Sequence, residues 1–213
     1  MRITLIYDNE TVREDLKPDW GFACLVDVPG TPRILFDTGA DGQILRTNMT
    51  ALGIDPSTIA AVFISHGHND HRGGLSEFLN VNPDVTVYVP AACPEPEATR
   101  DVVVVRDPRE IYPDVFSTGV LKGIEQSLAV RTEDGVVVIA GCSHPGVKRI
   151  LRTAAAFGDV TALVGGLHGF RRFAVLQGLR HVCPCHCTRY KAQIQARYPD
   201  EHLSGGAGRV LDF

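Results

Sequence analysis

Along this chain, short apolar runs with the two-residue period of strands alternate with stretches patterned at the helical period, and both halves follow this scheme. Apolar runs at residues 3–7, 22–28 and 34–36 predict three strands, with Pro29-Gly30-Thr31-Pro32 turning between the last two. A helix is predicted over 42–52, closed by Gly53. Residues 61–65 read as a short strand, followed by a helix over 72–79 and a strand over 85–89. The unbroken valines of 102–105 suit a strand buried on both faces. Further on, strands at 127–131 and 136–140 flank Thr132-Glu133-Asp134-Gly135, a hairpin turn. A helix over 145–156 begins on a proline, which the first turn tolerates, and stops before Gly158. Strands at 160–164, 181–183 and 209–213, a helix at 189–197 and an irregular or helical stretch at 171–179 complete the pass.

This distribution implies helices packed outside sheets, an α/β or α+β layered class. No Ser- or Gly-rich linker and no fixed-period repeat divides the chain, so residues 1–213 are expected to form one domain. Residues 90–113 hold five of the thirteen prolines (90, 94, 96, 108 and 113) and are the least regular stretch. They read as a lid over a site or as a surface connection.

Composition narrows the picture modestly. A chain of 213 residues is long enough for one well-buried core and short for two. A net charge of −4 and a pI near 6.0 give no electrostatic footprint for nucleic acid. The basic pairs Arg171-Arg172 and Arg180-His181 read as solvated surface. No apolar run approaches a membrane span, and the first residues are too short a run for a signal peptide, so a cytoplasmic location is expected. Six cysteines in such a chain point to free thiols, with Cys24 and Cys93 as isolated small hydrophobes.

The chemistry concentrates in Ser65-His66-Gly67-His68-Asn69-Asp70-His71. Four potential ligands fall within six residues, just after a strand and just before a helix. In extended chain His66 and His68 share a side, whereas Asp70 and His71 lie where the chain turns. Two histidines for one metal and an Asp-His pair for a second is the natural division. Imidazole and carboxylate donors suit Zn²⁺, with Mn²⁺ or Fe as the alternatives. Further ligands must come from His144, His168, His181, His186 or His202. His144, His168 and His186 end predicted strands in Gly- or Cys-rich turns, and residues beyond successive strand ends converge at one edge of a layered fold. His181 and His202 lack that setting and read as ordinary histidines. Cys183, Cys185 and Cys187 are not read as a separate zinc knuckle, because paired cysteines of structural zinc sites have at least two residues between them.

Leu35-Phe36-Asp37-Thr38-Gly39, followed by residues 65–75, resembles the metallo-β-lactamase superfamily. Asp19-Trp20-Gly21-Phe22, Gly123-Ile124-Glu125-Gln126-Ser127-Leu128, the turn at 141–146, Gly165-Gly166-Leu167-His168 and Pro184-Cys185-His186-Cys187-Thr188 resemble one subfamily, the dihydropterin ribofuranosyl-aminobenzene phosphate synthase-like proteins. The resemblance covers nearly the whole chain and implies a four-layer αββα sandwich with two metals at the shared edge of its sheets. It implies His66, His68 and His144 as ligands of the first metal and Asp70, His71 and His186 as ligands of the second. Asp37 would support the loop. Many members of the superfamily carry a bridging Asp where this chain has Cys142. Cys142 could ligate, a water or hydroxide alone could bridge, or the second site could be weak; a non-bridging Cys142 is preferred, on the expectation that only His144 aims inward from that turn.

The activity expected is hydrolysis of a small-molecule ester or phosphoester by a hydroxide generated on two metals, with Asp70 orienting the nucleophile or taking its proton. His168 is a candidate proton donor or substrate contact. Three alternatives accompany this: a synthase joining a dihydropterin to a ribosyl-aminobenzene phosphate, a non-catalytic metal-dependent binding or sensing domain, and a diiron-type redox role. The last finds no flavin-binding domain in the sequence to feed it electrons.

Overall fold

The computed structural model describes residues 1–94 and 101–213. Pro96 of the proline-rich stretch therefore lies outside the described residues. The first sheet has seven strands, β1 (Arg2–Tyr7), β2 (Ala23–Asp27), β3 (Arg33–Phe36), β4 (Ile59–Phe63), β5 (Thr86–Pro90), β6 (Val102–Val105) and β13 (Val210–Asp212), in the order β13-β1-β2-β3-β4-β5-β6. The second has six, β7 (Arg109–Tyr112), β8 (Val115–Ser117), β9 (Leu128–Thr132), β10 (Gly135–Ala140), β11 (Val160–Gly166) and β12 (His181–Cys185), in the order β12-β11-β10-β9-β8-β7. From β3 to β6 and from β10 to β12 neighbouring strands run parallel.

The inner faces of the two sheets meet in one apolar layer that includes Leu5, Phe36 and Phe63 from the first and Val130, Ile139 and Val164 from the second. Helices α1 (Gly42–Ala51) and α3 (Leu75–Val81) cover the outer face of the first sheet, where Leu45, Met49, Phe78 and Leu79 pack on Leu35, Val62 and Val87. Helices α4 (Val147–Ala154) and α5 (Lys191–Arg197) cover the other, through Val147, Ile150 and Ile194. The architecture is the αββα sandwich. Strands buried on both faces explain the near-continuous apolar runs of β4 and β10. At α1 the cap is Asp41, whose carboxylate accepts from the backbone N–H groups of Gln43 (2.8 Å) and Ile44 (3.0 Å).

Several sequence expectations are revised. The helix expected over 72–79 is two pieces, α2 (Asn69–Arg72) and α3, broken at Gly73-Gly74. A Cβ at Gly73 would lie 2.2 Å from the carbonyl oxygen of Ala40, and one at Gly74 2.4 Å from that of Thr38. The two glycines let the motif loop press against the loop after β3, and that close approach outweighs helix continuity. The valine run of β6 forms the edge of its sheet with Val102, Val103 and Val104 only half-buried, so it is not a strand buried on both faces. The proline-rich stretch, where described, connects one sheet to the other through β6 and β7. The hairpin of β7 and β8 escapes the sequence reading because its strands have only four and three residues, and β8 is held by pairing with β9.

Candidate metal centre

The parallel strands decide where the chemistry sits. Asp37 follows β3, residues 66–71 follow β4, Cys142 and His144 follow β10, His168 follows β11 and His186 follows β12. Five strand ends thus deliver their loops to one edge of the sandwich. Of the six non-glycine residues with positive φ among the described residues, four border this edge: Asp37 (54°), Ser143 (61°), His168 (46°) and His186 (45°). Each costs on the order of 1 kcal/mol of backbone strain, which the surrounding contacts hold in place.

Two sets of donor atoms result. His66, His144 and Cys142 offer ligand atoms within 4.8 Å of one another, and so do Asp70, His71, His186 and Cys142. His68 adjoins the first set without belonging to that 4.8 Å grouping, its Nδ1 lying 3.1 Å from His66 Nε2. All six residues expected as ligands are therefore brought together. His168 lies at the rim, exposed, with its ring 5.3 Å from that of His144. Both belong to a cleft of about 230 Å³ lined also by Ser143, Leu167 and Phe170. His181 stands at the far, N-terminal end of β12 against Phe213, and His202 is bridged to Val182, so neither reaches the site.

The hydrogen bonds fix which nitrogen of each ring faces inward. Asp37 is fully buried; its Oδ1 accepts from the Ser65 N–H (2.7 Å) and its Oδ2 from the Ser65 hydroxyl (2.7 Å). His71 Nδ1–H also donates to Asp37 Oδ2 (2.7 Å), leaving the His71 Nε2 lone pair inward. Because the Ser65 hydroxyl donates to Asp37, its oxygen receives His66 Nδ1–H (2.9 Å), and His66 Nε2 is likewise left as an acceptor. Asn9 Nδ2 donates to the His186 carbonyl (3.1 Å), which orients its Oδ1 to receive His186 Nδ1–H (2.9 Å). His186 Nε2 lies 3.1 Å from Asp70 Oδ2, a separation that a proton on the ring nitrogen or a cation between the two atoms can bridge. His144 Nε2 is buried with no hydrogen-bond partner among the described residues. Inward lone pairs, a carboxylate and thiols form a donor set suited to divalent first-row cations, and the residues present fit such ions.

Burial tunes the same groups. It lowers the pKa of His66 to about 2 and that of His71 to about 3, with neighbouring histidines adding to the effect on each. His144, less buried, falls to about 4. Burial pushes Asp70 upward, but the hydrogen bond to His186 and the charges of His71 and His186 outweigh it and hold the group below the usual carboxylate range. His66, His71 and His144 are thus neutral and Asp70 ionised near pH 7, the protonation states that metal ligation needs.

The expectation that only His144 aims inward from the turn after β10 does not hold. Cys142 Sγ lies 3.1 Å from His71 Nε2 and belongs to both donor sets, where it also meets Cys187 Sγ at 3.2 Å. Cys183 and Cys185 instead point into the core between the sheets. Sequence reasoning assigned no role to three further residues. Glu125 gathers the turn, its Oε1 accepting from the N–H groups of Cys142 and Ser143 (both 3.0 Å) and its Oε2 from that of His144 (2.8 Å). Trp20 Nε1–H donates to Asp70 Oδ2 (3.0 Å), and Asn9 orients His186. Glu125 and Trp20 lie within motifs visible in the sequence, but nothing in the spacing tells which backbone or carboxylate they reach.

Residues 21–154 match the metallo-beta-lactamase superfamily. The chain is 25% identical to the 7,8-dihydropterin-6-methyl-4-(beta-D-ribofuranosyl)-aminobenzene-5'-phosphate synthase of Methanocaldococcus jannaschii, the alignment covering 92% of each. Among solved structures it is similar to Tm1679, a metal-dependent hydrolase of the beta-lactamase superfamily, at 27% identity and a TM-score of 0.78, covering 100% of this chain and 99% of that one. It also resembles the metallo-beta-lactamase fold protein YhfI from Bacillus subtilis at a TM-score of 0.69 and 12% identity, covering 99% and 98%, a likeness of fold alone. The chain belongs to the metallo-beta-lactamase superfamily. Among the described residues no helix is long and apolar enough to cross a membrane.

Proposed function

We propose that this protein hydrolyses an ester or phosphoester of a small molecule at a two-metal centre. His66, His68 and His144 would hold one ion and Asp70, His71 and His186 the other, with Cys142 shared; zinc suits the donors best. The observation that carries this reading is the convergence of histidine nitrogens, the Asp70 carboxylate and the Cys142 thiol, with His66, His71 and His186 each tied by the other ring nitrogen to Ser65, Asp37 or Asn9. Bound there, divalent cations supply the Lewis acidity that makes water nucleophilic near neutral pH and that stabilises developing negative charge.

The chain's own residues do the positioning and proton handling. Asp70 is held by Trp20 and His186 through the same Oδ2. It orients the attacking water or accepts its proton. His168, exposed at the mouth of the cleft, donates a proton to the leaving group or contacts the substrate. The test is His68→Ala with generic ester and phosphoester probes: turnover should vanish with the circular-dichroism spectrum preserved, and unchanged turnover rejects the assignment.

The similarity to the Methanocaldococcus jannaschii synthase favours a second reading, in which the same centre joins a dihydropterin to a ribosyl-aminobenzene phosphate. Product formation from those two substrates, without turnover of the hydrolytic probes, would select it.

A further inference from the structure

Beside the metal centre lies a charge distribution that metal ligation does not explain. Residues 135–199 contain nine lysines and arginines and a single acid, Asp159, in a chain whose net charge is −4. Three of these cations, Lys148, Arg149 and Arg152, project from the exposed face of α4, and Arg172 comes from the loop beyond His168. With Lys122 they line one cavity of about 550 Å³ that has no acidic residue among the described residues of its wall. None of the five makes an ion pair among the described residues.

A solvated helix face is the plain alternative, and the helix itself argues against it. Lys148 and Arg149 stand in the first turn of α4, at the positive end of its dipole, where no acid accompanies them. Lys148 and Arg152 are like charges four residues apart, a spacing that weakens a helix. Both features cost stability in the free protein and both turn favourable once an anion sits in the cavity. The cavity also adjoins the site, sharing Gly146, Val147 and Phe170 as wall residues with the cleft of His144 and His168.

We propose that this cavity binds a phosphate group of the substrate that is not the group being cleaved. The substrate is then a phosphorylated small molecule, its phosphate among Lys122, Lys148, Arg149, Arg152 and Arg172 and its scissile bond at the metals. Arginines and lysines in this number suit a dianion with several acceptor oxygens better than a lone carboxylate. A concave site of this volume suits a compact ligand rather than a nucleic-acid strand, which the net negative charge of the whole molecule disfavours. Assigning the anion to a substrate rests on the hydrolase reading; the affinity of the cavity for anions does not.

Titration calorimetry with inorganic pyrophosphate tests this on the full chain, on His68→Ala, on Arg149→Gln/Arg152→Gln and on the charge-keeping Arg149→Lys/Arg152→Lys. The wild type and His68→Ala should bind within about threefold of each other, the glutamine pair at least tenfold more weakly, and the lysine pair close to the wild type. Binding lost in His68→Ala and kept in the glutamine pair would put the anion on the metals and overturn the proposal. Absence of pyrophosphate binding would overturn it too, as would an RNA oligonucleotide that binds more than a hundredfold tighter at the same arginines. Failure of the hydrolase reading shows separately, as ester turnover that survives His68→Ala while pyrophosphate binding still depends on the arginines.

Discussion

The sulfur of Cys142 lies 3.1 Å from Nε2 of His71, although 71 positions separate the two residues in sequence. The contact joins the loop after β4 to the loop after β10, one from each sheet, and places the thiol where the two donor sets meet. Cys142→Ala should therefore lower the affinity for the second equivalent of metal at least tenfold, and Cys142→Asp should restore most of it. Elemental analysis after dialysis against a competing chelator measures this. Two full equivalents retained by Cys142→Ala would make the thiol a bystander.

Asp37 is the anchor behind the site. Removing its carboxylate strands the Ser65 N–H, the Ser65 hydroxyl and His71 Nδ1–H in a fully buried position. Asp37→Ala should cost about 3–5 kcal/mol of stability, the range for breaking a buried charged network from one side. Asp37→Asn tolerates the positive φ of 54° and should cost less, while still weakening metal binding about 10- to 100-fold. Urea unfolding with and without metal separates the two effects.

Trp20 is the sole tryptophan, 58% exposed, bonded to Asp70 and with its ring 5.1 Å from that of His186. Its fluorescence should respond when Co²⁺ or Zn²⁺ enters the Asp70 set, saturating with the second equivalent of metal. Trp20→Phe should change stability by no more than about 0.5 kcal/mol, as for an exposed side chain. A fluorescence signal indifferent to metal would place that ion elsewhere.

Acid should destabilise the metal-free protein, with a definite sign. His66 and His71 are lowered by burial to about 2 and about 3, so below pH 6.5 the unfolded chain takes up protons that the folded chain refuses. Their contribution is complete above pH 6.5 and is lost as pH falls, at most about 1.4 kcal/mol per pH unit for each. Glu125, raised by burial to about 7, and Asp37, also raised by burial, act oppositely until pH falls to their unfolded values, near 4.5 and 3.8. Below about pH 4 that compensation is spent, and the lowered Asp70 adds to the loss. Unfolding midpoints in chelator should drop most steeply there; a flat profile from pH 4 to 3 would contradict the burial of these histidines.

Much of this architecture was legible in the residues. The strands that carry the site, β3, β4, β10, β11 and β12, are apolar runs bounded by glycine or proline, and the HxHxDH spacing marks the loop after β4. What stayed hidden depends on pairing across the sandwich. The inward aim of Cys142 is set by Glu125, which draws three successive N–H groups of that turn together from 17 to 19 residues away. The break at Gly73-Gly74 reflects loop contact with Thr38 and Ala40 rather than helix propensity. The hairpin of β7 and β8 is too short to announce itself without the neighbouring strand.

Crystals of the protein grown with zinc or manganese, with anomalous scattering recorded at that metal's absorption edge, would locate the ions. Two peaks are expected, one among His66, His68 and His144 and one among Asp70, His71 and His186, with Cys142 Sγ between them. A single peak away from these residues, or none at saturating metal, would contradict the two-metal centre.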